Sequence, residues 1–305
     1  MHARIKTLII YIILFYPIYL NAQTVIIGDM EYKIKNPRKL EGKAFYDFVY
    51  LKDTTQPQHL YKEIYELDFG KNESIFFSYS KKLSDSMMYA DLNRQVQTAT
   101  DPNHLNLTLR GNAFVSSDMY YTNFTDSSVG TLKSITSALF CVKDTTPGID
   151  WQILDSTKNI QGYTCQKAVG ESHGRIYTAW FSTDIPFSFG PRKLNGLPGL
   201  ILQVFDAKRQ VLYDIKKISI PSAGVIGIPN DAISATEEQY NKAMAAYRKN
   251  PAAFNSGLQG QSSGLKMNSP LNKITPTSIK SLSVVKESPY GNNVHLVENN
   301  PIDLK

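Results

Sequence analysis

Beyond residue 22 the side chains best suited to metal or nucleophilic chemistry are four histidines, His59, His104, His173 and His295, and two cysteines, Cys141 and Cys165. A metal centre needs several convergent ligands, and these histidines are widely spread with no ligand-spaced pair. His-Glu-x-x-His and the phosphate-cradling Gly-Lys-Ser/Thr pattern are absent. His173 sits between Glu171 and Arg175 in a glycine-bounded segment, which reads as a small polar site or, more simply, as a solvated hairpin loop. Asp144 and Asp150 flank Thr-Thr-Pro-Gly, where turn chemistry accounts for both acids without general acid–base work. No nucleophile, base and orienter can be named together, so no catalytic residue and no cofactor is assigned, and a hydrolase is the weakest of the readings open to this chain. Trp151, Tyr163 and Trp180 are aromatic enough to line an apolar ligand site, but ordinary core packing is the simpler explanation of them.

The elements that must position such residues are mostly strands. Tyr and Thr recur in alternating runs, a composition that favours β structure, and the length is ample for a real core. Arg4 and Lys6 precede an apolar run from Leu8 to Leu20, and Asn21-Ala22-Gln23 offers a cleavage point after Ala22. Residues 1–22 therefore read as a secretory signal peptide, the alternative being an uncleaved anchor. No later segment is apolar enough to span a bilayer. The expected location is the periplasm or the outside of the outer membrane, with residues 23–305 forming one domain. Without Arg4 and Lys6 the formal charge falls from +6 to +4, with no dense Lys/Arg run, which argues against nucleic acid as a partner. In an oxidising compartment Cys141 and Cys165 read as one disulfide, with two free buried thiols as the alternative.

Alternation predicts strands over Thr24–Lys35, Phe45–Leu51, Leu60–Phe69, Ser74–Tyr79, Leu105–Arg110, Ile135–Val142, Trp151–Leu154, Tyr163–Ala168, Arg175–Phe181 and Val211–Ile220. Residues 111–133 show no clear pattern. Helical spacing of Leu83, Met87, Met88, Leu92 and Val96 predicts a helix over Lys81–Gln97, capped by Ser84 or Asp85. A second helix is predicted near 235–250, where Thr236 and Gln239 form a capping-box pattern. Residues 255–286 read as a flexible segment.

The most distinctive stretch runs from Gly190-Pro191 to Gly196-Leu197-Pro198-Gly199-Leu200-Ile201. Leu197–Leu200 has the chemistry of a type II turn, with positive φ expected at Gly199, feeding an apolar run that suits a strand buried on both faces. None of these side chains can move a proton, so the motif reads as packing and turn structure. Trp151, Lys158, Ile160-Gln161-Gly162-Tyr163, Cys165, Lys167-Ala168, Gly174-Arg175, Ala179-Trp180, Ile185-Pro186 and Gly190-Pro191 occur in order before it, and Asn300-Pro301-Ile302-Asp303-Leu304 closes the chain. On these residues the chain resembles the GLPGLI family, exported proteins of the Bacteroidetes. An aromatic often follows Gly190-Pro191 in that family; Arg192 stands there in this chain. The resemblance implies no activity. It is compatible with a mainly β (α+β) fold, a large curved antiparallel sheet with a few helices, similar to the lipoprotein-carrier half-barrel. The function expected is that of a binding module for an apolar ligand or a partner protein of the envelope, with a structural envelope component as the alternative.

Overall fold

The computed structural model describes residues 24–27, 30–101, 103–112, 115–136, 138–144, 148–251, 253–254, 266–267, 278–287 and 296–304. The signal-type residues 1–22 lie outside them, as do 255–265 and 268–277 of the segment expected to be flexible.

The strands run β1 (Thr24–Ile27), β2 (Met30–Lys33), β3 (Arg38–Lys39), β4 (Gly42–Tyr50), β5 (Tyr61–Phe69) and β6 (Glu73–Ser78). Helix α1 (Tyr79–Gln97) follows, then β7 (Leu105–Asn112), β8 (Met119–Asn123), β9 (Ser128–Ile135) and β10 (Ala138–Lys143). Five consecutive strands come next: β11 (Gln152–Ile160), β12 (Tyr163–Ser172), β13 (Arg175–Ser182), β14 (Leu200–Asp206) and β15 (Val211–Ser219). The remainder is β16 (Val225–Ile226), β17 (Ile233–Ala235), α2 (Glu237–Lys249), β18 (Lys266–Met267) and β19 (Ile279–Glu287).

Twelve of these strands form one open sheet in the order β11-β12-β13-β14-β15-β4-β5-β6-β8-β9-β10-β17. It consists of two antiparallel meanders, β11 to β15 and β4 to β10, joined where β15 pairs with β4; only β10 and β17 run parallel. Buried residues from β12 round to β8 belong to one apolar cluster. Those eight neighbours would span roughly 34 Å if flat, so the sheet must curl around the cluster. The result is the expected mainly β half-barrel, left open between β11 and β17.

Rings fill its concave side. Tyr46, Phe48 and Tyr50 alternate inward along β4, as the sequence pattern requires. Phe48 stacks on Tyr213 at 4.5 Å, Tyr65 stacks on Phe76 at 4.7 Å, and Phe48 meets Tyr65 edge-on at 5.5 Å.

Several expectations change. α1 begins earlier than predicted because Ser78, the last residue of β6, caps it and accepts a hydrogen bond from Lys81 N at 2.8 Å. The Ser78 hydroxyl donates in turn to the buried Glu63. The α2 capping box is present as read, with Thr236 and Gln239 bonding reciprocally. Within 255–286, Ile279–Glu287 is a strand and pairs parallel with β7; Ile279 packs on Leu105 and Leu107 against α1. The expected disulfide is a correction. Cys141 and Cys165 are both free. They lie on β10 and β12, in opposite meanders, and pack into different clusters, Cys141 beside Ile75 and Phe77 and Cys165 in the ring-filled core.

One buried polar cluster lies on the other face of β5. Lys43 Nζ bridges Glu66 at 2.6 Å and Asp68 at 3.1 Å, and Lys82 of α1 holds the second Glu66 oxygen at 3.0 Å. Burial and the neighbouring Glu66 carboxylate push Asp68 up to about 7, against the pull of Lys43. A carboxyl whose folded pKa exceeds its unfolded value gives up stability as pH rises from about 4 to about 7. We expect Asp68→Asn, which keeps a donor toward Glu66, to flatten the fall of Tm between pH 5 and pH 8 and to be the more stable protein at pH 8 by about 2 kcal/mol. Thermal melts across that range check it.

Candidate functional site

The motif segment is a loop of close approaches that carries the chain from β13 back into β14. Leu197, Leu200 and Ile201 are fully buried, and Gly190 and Pro191 with them. Leu200 N donates to Ile185 O at 2.9 Å, Ile201 N to Phe189 O at 3.0 Å, and Tyr46 Oη to Ile201 O at 2.7 Å. A Cβ on Gly190 would stand 2.4 Å from Leu194 O, and one on Gly199 2.1 Å from Ser182 O. The type II turn expected at Leu197–Leu200 is corrected: positive φ falls on Gly196, at +100°, and Gly199 is needed because backbone passes against it. Pro198 is exposed at the bend between them. Asn195 pins the loop, accepting from Gly190 N at 3.0 Å, donating to Thr122 Oγ1 of β8 at 3.0 Å, and offering its carbonyl to Trp151 Nε1 at 2.9 Å.

That pinning opens a trough at the mouth of the half-barrel, in two adjoining clefts of about 340 and 360 Å³ that share Asp144, His173 and Lys193. The first is lined by Asp118, Tyr120, Lys133, Arg192, Glu237 and Asp303. Arg192 lies 4.7 Å over the Tyr120 ring and grips Asp303 through two bonds of 3.0 and 3.1 Å. Lys193 Nζ reaches Asp144 Oδ2 at 2.5 Å and Lys133 reaches Glu237 at 3.1 Å. Its four acids, Asp118, Asp144, Glu237 and Asp303, face four Lys or Arg side chains, so this cleft is charge-balanced. Asp118 makes no side-chain hydrogen bond among the described residues; burial raises its pKa, with Lys133 and Arg192 pulling the other way. The second cleft adds Phe124, Val129 and Ile149. The Phe124 ring is 42% exposed at the tip between β8 and β9 and is backed at 5.0 Å, nearly parallel, by the buried ring of Phe189.

The rim is closed by the strap 296–304. Buried Arg175 donates to Asp206 at 2.8 Å, to Asn300 Oδ1 at 2.6 Å, and to the carbonyls of Pro301 and Ile302 at 2.7 and 2.9 Å. Asn300 Nδ2 donates to Leu51 O at 2.7 Å, and Leu304 N to His173 O at 2.9 Å. Asp53 accepts from Thr55, Val297 and Asn299, and the Thr55 hydroxyl foremost, then Val297 N, hold its carboxyl well below the usual carboxylate range.

A family described as "Protein of unknown function (Porph_ging)" matches residues 170–203. It is an uncharacterised family associated with the Bacteroidetes. The Porph_ging segment contains Arg175, the whole of β13, the close-approach loop and the start of β14. No curated protein matches the chain. Solved structures described as "Structure of PNGF-II in P21 space group" and "Structure of PNGF-II in C2 space group" are similar at 12% and 13% identity, with TM-scores of 0.45 and 0.44. Each match covers 67% of this chain, which spans 32% of the length of those chains.

Gly170, Ser172 and Gly174, at the start of the Porph_ging segment, satisfy the Gly-x-Ser-x-Gly spacing of hydrolase nucleophile turns, a pattern that reading the segment as a hairpin passes over. Ser172 Oγ lies 2.9 Å from His173 Nδ1, and His173 Nε2 lies 3.8 Å from Asp144. The setting is a tight hairpin between two strands, with positive φ at His173 and Gly174, and not the strand-to-helix elbow that presents a nucleophile. Gly170 is explained by Trp151, whose ring a Cβ there would meet at 2.7 Å. Ser172 is buried, and the Asp144 oxygen nearest the imidazole is held more closely by Lys193.

The three aromatic candidates are not brought together. Trp151 is fixed by Asn195 and Gly170. Trp180 alternates with the buried Tyr177 and Ala179 and so lies on the other face of β13, with Lys158 Nζ 4.3 Å over its ring. Tyr163 packs partly buried against the core. Asp118, Phe124, Arg192 and Lys193 went unread as a site. The exposed Phe124 between turn residues was the available signal; the others carry none without the fold.

Proposed function

We propose that this chain is an exported, non-catalytic binding module of the GLPGLI type that receives its ligand or partner in the mouth trough. The signal-type N-terminus and the run of family residues from Trp151 to Ile201 support export and membership. The observation that carries the reading is the contrast between the two sides of the mouth. The concave interior is packed with rings, and the apolar cavity between Ile34, Phe77, Leu132 and Ile226 encloses about 20 Å³, room for no more than a water molecule. The trough is open, and it converges polar side chains beside an exposed ring. Of these spaces among the described residues, the trough is the one with room for a ligand or a partner surface, and its lining favours a polar one.

A photo-crosslinking amino acid placed at Phe124 or at Trp180 of the full chain in the envelope separates the sites. Adducts from position 124 and none from 180 are expected. Adducts from 180 alone, or a lipid-sized mass on the native protein, would overturn the reading.

A further inference from the structure

We propose that the trough binds a neutral oligosaccharide, a step that rests on the trough being the binding site. Three observations select this chemistry. First, the charges of the polar cleft cancel: Arg192 is paired with Asp303, Lys193 with Asp144 and Lys133 with Glu237. An anionic ligand would have to displace an acid already bound, and a cationic one a base. Fixed carboxylate and guanidinium groups still have lone pairs and N–H bonds to offer, and hydroxyls, which donate and accept at once, use both without altering the net charge. Second, the Asp118 carboxyl lines that cleft together with Lys133 and Arg192 and makes no side-chain hydrogen bond among the described residues, which leaves it an acceptor on offer. Third, Phe124 presents one flat face while Phe189 fixes the other. A rigid aromatic plane beside planar polar groups suits the C–H face of a pyranose ring, apolar above and rimmed by hydroxyls. A peptide partner would call for a deep pocket to desolvate an anchoring side chain; the apolar part of the trough, Phe124, Val129 and Ile149, is instead part of an open cleft.

The test uses the full mature chain on an array of neutral oligosaccharides, with a peptide array beside it, followed by titration of the best saccharide. Binding to a neutral oligosaccharide is expected, and it should persist at about 0.5 M salt, where the Debye length is about 4 Å and ion-pair attraction is screened. It should weaken about tenfold in Phe124→Ala, about 1.4 kcal/mol, and recover in Phe124→Trp. Asp118→Asn, which is isosteric, should weaken it as well, and melts of each variant establish that the fold is kept. Absence of any neutral saccharide ligand, or binding indifferent to both Phe124→Ala and Asp118→Asn, overturns the proposal. Peptide binding that depends on Phe124 and Lys193 overturns the saccharide while leaving the trough as the site; crosslinks confined to Trp180 would remove both.

Discussion

Gly199→Ala should unfold this protein more readily than substitution of any other motif residue by a residue of similar size. Its single added carbon would sit 2.1 Å from Ser182 O and 2.6 Å from the Ser182 carbonyl carbon, both backbone atoms that cannot swing away. The loop must lift from β13, and with it go the bonds from Leu200 N to Ile185 O and from Ile201 N to Phe189 O. Overpacking at a site fixed on both sides costs about 3 kcal/mol, which lowers Tm by about 5 °C in a chain of this size. Gly196→Ala is the informative control. Gly196 has φ +100° but nothing within 4 Å of a Cβ, so only backbone strain opposes the change and about 1 kcal/mol is expected. Urea and thermal melts of the pair distinguish close approach from conformational strain; equal effects would refute the assignment.

Arg175→Ala is expected to be equally severe for a different reason. Arg175 is 4% exposed and Asp206 2%, and removal of the guanidinium leaves the buried carboxylate without its counter-charge, with only Gln210 N and Val211 N still donating to Oδ1, and takes the Arg175 donors from three strap acceptors. Breaking such a buried pair from one side costs about 3–5 kcal/mol. Arg175→Lys should recover little, because one ammonium cannot span the fork that reaches Asp206, Asn300 and two carbonyls. The strap should then be the first segment cut in limited proteolysis, while the sheet resists. A strap as resistant as in the native protein would mean that its ties to Asp53, Arg192, Leu51 and His173 hold it without Arg175.

Much of the fold was legible because its strands follow a period of two with one wet face. Tyr46, Phe48 and Tyr50 declare β4, and Thr236 with Gln239 declares the start of α2. The failures concern pairing across distance. The alternation of β8 is hidden because Met119, Tyr120, Tyr121 and Thr122 are buried on both faces. Ser283 and Lys286 give no hint that β19 will find β7, since a parallel partner is set by backbone bonds. Cys141 and Cys165 read as a pair from an oxidising compartment and an even count, neither of which says that β10 and β12 stand in opposite meanders. The site was the least legible part. Arg192 stood out as a missing aromatic, and its cation instead lies over an aromatic, Tyr120, supplied from β8.

The junction of the two meanders bears on how the chain reaches its native state. Across it Lys216 bonds Asp47 at 2.9 Å, partners 169 residues apart in sequence. A chain that emerges in order from its N-terminus must leave the ring-bearing margin of β4 open until β15 arrives. Non-local closure of this kind slows folding, and an open, hydrophobic strand margin invites pairing with the wrong chain. The β15–β4 seam therefore makes the newly made chain a natural client for chaperones until the second meander is in place.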